Sequence, residues 1–164
     1  MKTIQEEFRY EHPVATVFAL ISQGAFQTEL ISHLGGKDAT LIEETATPSG
    51  IRLVTRQRAS VELPGFAKKL IPADSTVTQT YDWGEADDEG GRSGTWSAAI
   101  KGAPISIGGP IELVPDGTGA VLRYLGQIKA SVPLVGGKLE SFALDNLRRD
   151  LGKTFAFTAS HLEA

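Results

Sequence analysis

Hydrophobic and polar residues alternate along most of this chain, giving way to a helical period near the start and at the end. From Ala120 to Val132 the even positions read Ala, Leu, Tyr, Gly, Ile, Ala, Val. The odd positions read Val121, Arg123, Leu125, Gln127, Lys129 and Ser131. Successive strand side chains point to opposite faces, so this is a long strand with one mostly apolar and one mostly polar face. Pro133-Leu134-Val135-Gly136-Gly137 breaks the pleat, and Lys138 to Leu162 carries a helical stripe of Ala143, Leu144, Leu147, Leu151, Thr154, Phe155 and Thr158. A helix of that length runs roughly 37 Å at about 1.5 Å per residue, and it must lie across a sheet to bury its stripe.

The same reading orders the rest of the chain. Thr3 to Glu11 is a strand whose even face (Ile4, Glu6, Phe8, Tyr10) is mostly apolar. Pro13 suits a first helical position; Val14, Val17, Phe18 and Ile21 then repeat at helical spacing. Beyond Gly24, Phe26, Leu30, Ile31 and Leu34 form a second short stripe that Gly35-Gly36 ends. Lys37–Thr47 and Ile51–Arg58 flank the turn Pro48-Ser49-Gly50 as a hairpin. Val61 to Asp74 breaks the pattern, with a short helix expected from Pro64-Gly65, carrying Phe66, Leu70 and Ile71 beside Lys68-Lys69. Strands follow at Ser75–Trp83, at Gly94–Lys101 and along Ile105, Ile107, Ile111 and Leu113. Gly108-Gly109-Pro110 reads as a bulge. The acidic loop Glu85–Gly91 reads as a solvated hairpin tip, where water screens like charges. The order is strand, two short helices, a meander of strands and a long helix, an α+β arrangement with the helices on one face of an antiparallel sheet. Closing such a sheet around its helix leaves few free edges.

Composition narrows the function classes. The 164 residues suffice for one domain with a core, and no linker-like stretch divides them. A net charge of −4 without a basic stripe argues against a nucleic-acid partner. The absence of cysteine excludes disulfides, a thiol nucleophile and thiolate metal sites. The start has no apolar signal core, and no apolar run reaches about 18 residues, so the expectation is a cytoplasmic domain without stable membrane insertion.

Three stretches are more specific: Thr76-Val77-Thr78-Gln79-Thr80-Tyr81-Asp82-Trp83, then Gly94-Thr95-Trp96, then Val132-Pro133-Leu134-Val135-Gly136-Gly137-Lys138-Leu139-Glu140. With the element order, they make the chain resemble the START-like superfamily (SRPBCC, Bet v 1-like), and within it an uncharacterised bacterial family, domain of unknown function DUF2505. The resemblance implies a helix-grip fold over residues 1–164: a curved antiparallel sheet wrapped around a long C-terminal helix, with two short helices after the first strand. It also implies an internal cavity for a small hydrophobic molecule such as a lipid or polyketide. It fixes no reaction, since relatives include carriers, cyclases, hydrolases and chaperone-activating modules.

The inward-facing set is therefore the candidate site. It comprises Phe8, Tyr10, Leu53, Gln57, Val77, Gln79, Tyr81, Trp83, Trp96, Tyr124 and Ile128 from the sheet, Phe66 from the loop as a lid, and Leu147, Leu151 and Phe155 from the helix. Gln57, Gln79 and Tyr81 are the groups expected to orient a ligand's polar end, because a buried polar group needs a partner. Glu6 shares the inward parity and would serve as a general base only if burial raised its carboxyl, but no partner for it is visible in sequence and a place at the sheet edge is the alternative. His12, His33 and His161 each sit at an element end and match no metal motif; no serine lies in a nucleophile elbow. Gly136-Gly137 reads as the device for a sharp strand-to-helix reversal, and Glu140 as a charge suited to the positive helix end. The reading is a ligand-binding or carrier module with no cofactor; a cyclase- or hydrolase-like enzyme and a chaperone-activating interaction module are the alternatives.

Overall fold

The computed structural model describes residues 1–60 and 62–163. Strand β1 (Lys2–Tyr10) is followed by helices α1 (Val14–Ile21) and α2 (Gly24–His33). Six strands follow: β2 (Lys37–Thr47), β3 (Gly50–Ser60), β4 (Asp74–Gly84), β5 (Arg92–Ile100), β6 (Ile105–Asp116) and β7 (Gly119–Ala130). Helix α3 (Gly136–Glu163) ends the chain. The expected order of strands and main helices holds, with boundaries shifted by a residue or two at most ends. Every strand pairs antiparallel with its neighbours in the order β1-β7-β6-β5-β4-β3-β2. The sheet curves but stays open: β1 and β2 are its edges. Two register shifts in β2 break up that edge, a common defence against edge-to-edge pairing.

The strand parities read from sequence put the apolar residues inside. Ile4, Leu53, Ile111, Leu113 and Ile128 are fully buried. At the centre of the sheet, however, Gly108-Gly109-Pro110 is not a bulge. Gly108 pairs with Gln127 and Ile111 with Tyr124, so both strands advance equally across it. The sheet bends there because β6 and β7 meet through glycine. A Cβ on Gly109 would collide with the Gly126 Cα, and one on Gly126 would collide with the Gly108 carbonyl oxygen. Trp96, opposite Gly109 on β5, uses this side-chain-free strip. Its indole reaches across β6, packs edge-on against Tyr124 at 5.2 Å and donates Nε1–H to the Leu125 carbonyl at 3.0 Å. By register Leu125 stands opposite Pro110, which has no N–H to offer, so the tryptophan supplies the missing donor.

The other departures lie in the connections. Residues 65–70 form turns, not a helix, closed by Ala67 and Lys68 N–H groups donating to the Pro64 carbonyl and Ile71 N–H to Ala67. Val61, where that break begins, lies outside the described residues. The strand-to-helix reversal takes its left-handed residue from Leu134 (φ 70°), not from Gly136 or Gly137. Glu140 does more than face a helix dipole. It is 4% exposed, accepts the Ala130 N–H at 3.0 Å and holds the Met1 ammonium at 2.6 Å. These partners keep its carboxyl below the usual range, the ammonium bond first and the amide second.

Helix placement sets up the site. Helix α3 packs on β1 and β7, and α2 packs on β2 and β3. Helix α1 wedges between α3 and the β6–β7 half of the sheet. Phe18 of α1 meets Trp83 edge-on at 5.4 Å, with the Arg92 guanidinium 4.2 Å from the Phe18 ring. One end of the molecule is thereby filled. At the other end, the inner faces of β4 and β5 lie between the two helical supports.

Candidate functional site: an internal cavity beneath the long helix

That uncovered stretch is a cavity of about 450 Å³. Its floor is the inner face of β3 to β7, with Gln57, Val77, Gln79, Tyr81, Trp96, Ala98, Ile100, Ile107 and Tyr124. Its roof is α3, with Phe142, Ala143, Asn146, Leu147, Leu151 and Thr154. Leu30 and Ile31 of α2, with Leu34 just after it, close one side, and Leu63 and Ile71 of the loop before β4 close another. The rim carries Glu62, Arg149, Asp150 and Lys153. Partial desolvation there raises the Asp150 carboxyl, against the pull of Lys153 and Arg149; its outer face stays in water, which screens the effect.

The deep polar groups are neutral. The hydroxyls of Tyr81 and Tyr124 meet at 3.2 Å. One donates and the other accepts, so one of the two protons is left for a further acceptor. Burial pushes both phenols up, and for Tyr124 the neighbouring Tyr81 adds to the rise. Tyr10 lies against Phe155 at 4.9 Å, and burial pushes it up to about 12. All three tyrosines of the chain thus stay protonated at neutral pH: they are hydrogen-bond donors, not bases. The Gln57 carboxamide also lines the cavity. Its Oε1, however, is sealed from water beside Gly36 and finds no donor among the described residues.

Of the residues expected at the site, Gln57, Val77, Gln79, Tyr81, Trp96, Tyr124, Leu147 and Leu151 come together around the cavity. Phe8, Tyr10, Leu53, Trp83, Ile128, Phe155 and Phe66 do not line it. At the filled end Phe8 stacks on Phe155, Tyr10 lies tilted against the same ring, and Trp83 is covered by Phe18. Leu53 and Ile128 are packed core. Phe66 packs with Leu63, Ala67, Ile71 and Leu139 in a second apolar cluster, beside the cavity instead of over it. Glu6 is not inside either. It sits on the edge strand, 21% exposed, accepting from the Arg148 guanidinium at 2.8 Å. The histidines serve packing and hydrogen bonds: His33 stacks on Phe157, His161 lies tilted against the same ring, and His12 meets Glu163. Sequence reading missed the α2 wall and the α3 rim. Leu30, Ile31 and Leu34 were legible as a helical stripe, but not as facing a cavity.

A family model described as "Protein of unknown function (DUF2505)" matches residues 5–162. The uncharacterized protein Rv0481c of Mycobacterium tuberculosis (strain ATCC 25618 / H37Rv) is 31% identical over 93 residues, covering 55% of this chain and 53% of that protein. The aligned chain thus spans about half the length of that relative. Among solved structures, TTHA0849 from Thermus thermophilus superposes with a TM-score of 0.63 at 12% identity, over 98% of this chain and 97% of that one. The STAR-related lipid transfer protein from Xanthomonas axonopodis gives 0.56 at 17% identity, over 98% and 85%. At these identities the structural likenesses establish the START-like fold and nothing finer.

Proposed function

The chain belongs to the DUF2505 family, and from that premise and the cavity we propose that it binds and carries one small, uncharged, mostly apolar molecule. The observation that carries the reading is the composition of the cavity wall. Aliphatic and aromatic side chains from five strands and two helices surround a few neutral polar groups, the Tyr81–Tyr124 pair, Gln57 and Gln79, while the charges stay at the rim. This is the usual make-up of a small-molecule site. A lipid-transfer protein among the structures of like fold is in keeping with it. The free hydroxyl proton of the tyrosine pair calls for a carbonyl, ether or hydroxyl oxygen on the ligand. About 450 Å³ lies in the lower part of the usual ~300–1,000 Å³ range. That volume suits one ring system or one chain, not a two-chain phospholipid.

The test is displacement of an environment-sensitive apolar dye by a panel of lipophilic compounds, on the native protein and on Leu147→Trp. Leu147 is on the roof, and an indole there takes up part of the space. Uncharged compounds bearing one oxygen acceptor are expected to displace the dye from the native protein, and Leu147→Trp is expected to bind both more weakly. Equal dye binding by both proteins would overturn the reading.

A further inference from the structure

The two ends of the sheet carry opposite charge. The turn between β4 and β5 holds Glu85, Asp87, Asp88 and Glu89 and is exposed. The other end gathers the loop before β4, the turn between β5 and β6 and the reversal between β7 and α3. These three meet physically. Gly102 packs against the Pro72 ring, Ser131 N–H donates to the Pro104 carbonyl, and Phe66, Leu70, Ala103 and Val132 share one apolar cluster. Around that cluster stand Lys68, Lys69, Lys101 and Lys138, all exposed, and none enters an ion pair among the described residues. Of the acids nearby, Asp38 and Asp74 are held by Arg58, and Glu140 is buried on the Met1 ammonium. Of the acids beside these lysines among the described residues, only Glu62 is left unpaired to offset them. A chain of net charge −4 thus presents a positive end.

At the same end is Leu134. It is 102% exposed and holds φ at 70°, the left-handed region that a leucine side chain disfavours. The fold gains neither burial nor good backbone geometry from a leucine there, and glycine or asparagine would relieve the strain. A strained residue whose side chain does nothing for the folded molecule points to a use outside it. An apolar side chain projecting from a ring of lysines matches the interface of an anionic bilayer: the leucine enters the acyl boundary, and the lysines stay at the headgroups.

We propose that this end docks reversibly on anionic membrane surfaces, with Leu134 inserted and Lys68, Lys69, Lys101 and Lys138 on lipid phosphates. The neighbouring Leu63 and Ile71 also line the cavity, so docking sets the membrane beside it. The inference does not depend on what the cavity holds.

Vesicle flotation tests it, using phosphatidylcholine with and without phosphatidylglycerol at low and high salt. The native protein is expected to float only with phosphatidylglycerol, and less as salt rises. Leu134→Gly is expected to lower partitioning by roughly tenfold through lost apolar burial while its Tm holds or rises. The double variant Lys68→Gln, Lys69→Gln is expected to lower it by roughly twenty-five-fold with Tm unchanged, at about fivefold per lysine. The proposal is overturned if the native protein fails to float on anionic vesicles or floats equally on neutral ones. It is also overturned if either variant partitions as the native protein does.

Discussion

Gln57→Leu should make the ligand-free protein more stable and its ligand binding weaker. Gln57 faces the cavity from β3, opposite Val77 in register. Its Oε1 lies beside Gly36 with no donor within reach among the described residues. A buried polar atom left unsatisfied costs about 1–3 kcal/mol, and replacing it with an apolar group of similar shape removes that cost. Only one end of the carboxamide is sealed, so the low end applies, about 1 kcal/mol. For a chain of this size that corresponds to a Tm rise of roughly 2–4 °C. Denaturant titration should show the midpoint moving up with the slope unchanged. Binding should go the other way. The terminal amide torsion is soft, so a ligand donor can turn Oε1 into the cavity. For ligands that carry a donor, such as a hydroxyl, losing that bond should weaken affinity about five- to tenfold. Gln79→Leu provides the contrast, since the Gln79 amide is not sealed: affinity should fall with Tm nearly unchanged. A lower Tm for Gln57→Leu, or native affinity across the ligand panel, would refute the reasoning.

Two pH predictions follow from the buried groups. With Tyr10 at about 12 and Tyr81 and Tyr124 also raised, the native protein should show almost no tyrosinate absorbance near the ordinary value of 10, whereas the denatured chain titrates there. Because the unfolded phenols ionise first, stability should be intact below about 10 and fall as pH climbs toward 12; appreciable native tyrosinate near 10 would contradict the burial. Glu140 works in the opposite direction. Its depressed carboxyl stabilises the fold above its ordinary value of 4.5, and that contribution is lost as pH falls through the lower folded value. Glu140→Gln should therefore lower the midpoint at neutral pH and flatten its acid dependence between those values; an unchanged acid limb would rule out this role for Glu140.

The fold was largely legible because burial on a strand repeats every second residue. Parity alone placed Tyr81, Trp96 and Tyr124 on one face. Parity does not say how far along a strand the filling runs. Phe8, Tyr10 and Trp83 share that face with Gln79 and Tyr81, yet Phe155 and Phe18 cover them, and those neighbours are far away in sequence. The cavity's extent depends on where α1, α2 and α3 rest on the sheet, a tertiary matter that a helical stripe cannot encode. Glu6 shows the same limit: its parity is inward, but it lies on an edge strand within reach of Arg148. The glycine positions misled for a different reason. Gly108-Gly109 has the composition of a bulge, and only its register against Gly126 shows two backbones meeting. At the reversal into α3, two adjacent glycines drew attention away from Leu134, the residue that takes the left-handed conformation.

The most direct test of cavity binding is native mass spectrometry of the protein purified from its own host, beside Leu147→Trp prepared in the same way. Cavity binding predicts a discrete added mass on the native protein, lost on denaturation and at lower occupancy on the variant, and that mass would identify the ligand. The same added mass at equal occupancy on both proteins, or a bare native protein that also takes up nothing from the lipophilic panel, would contradict it.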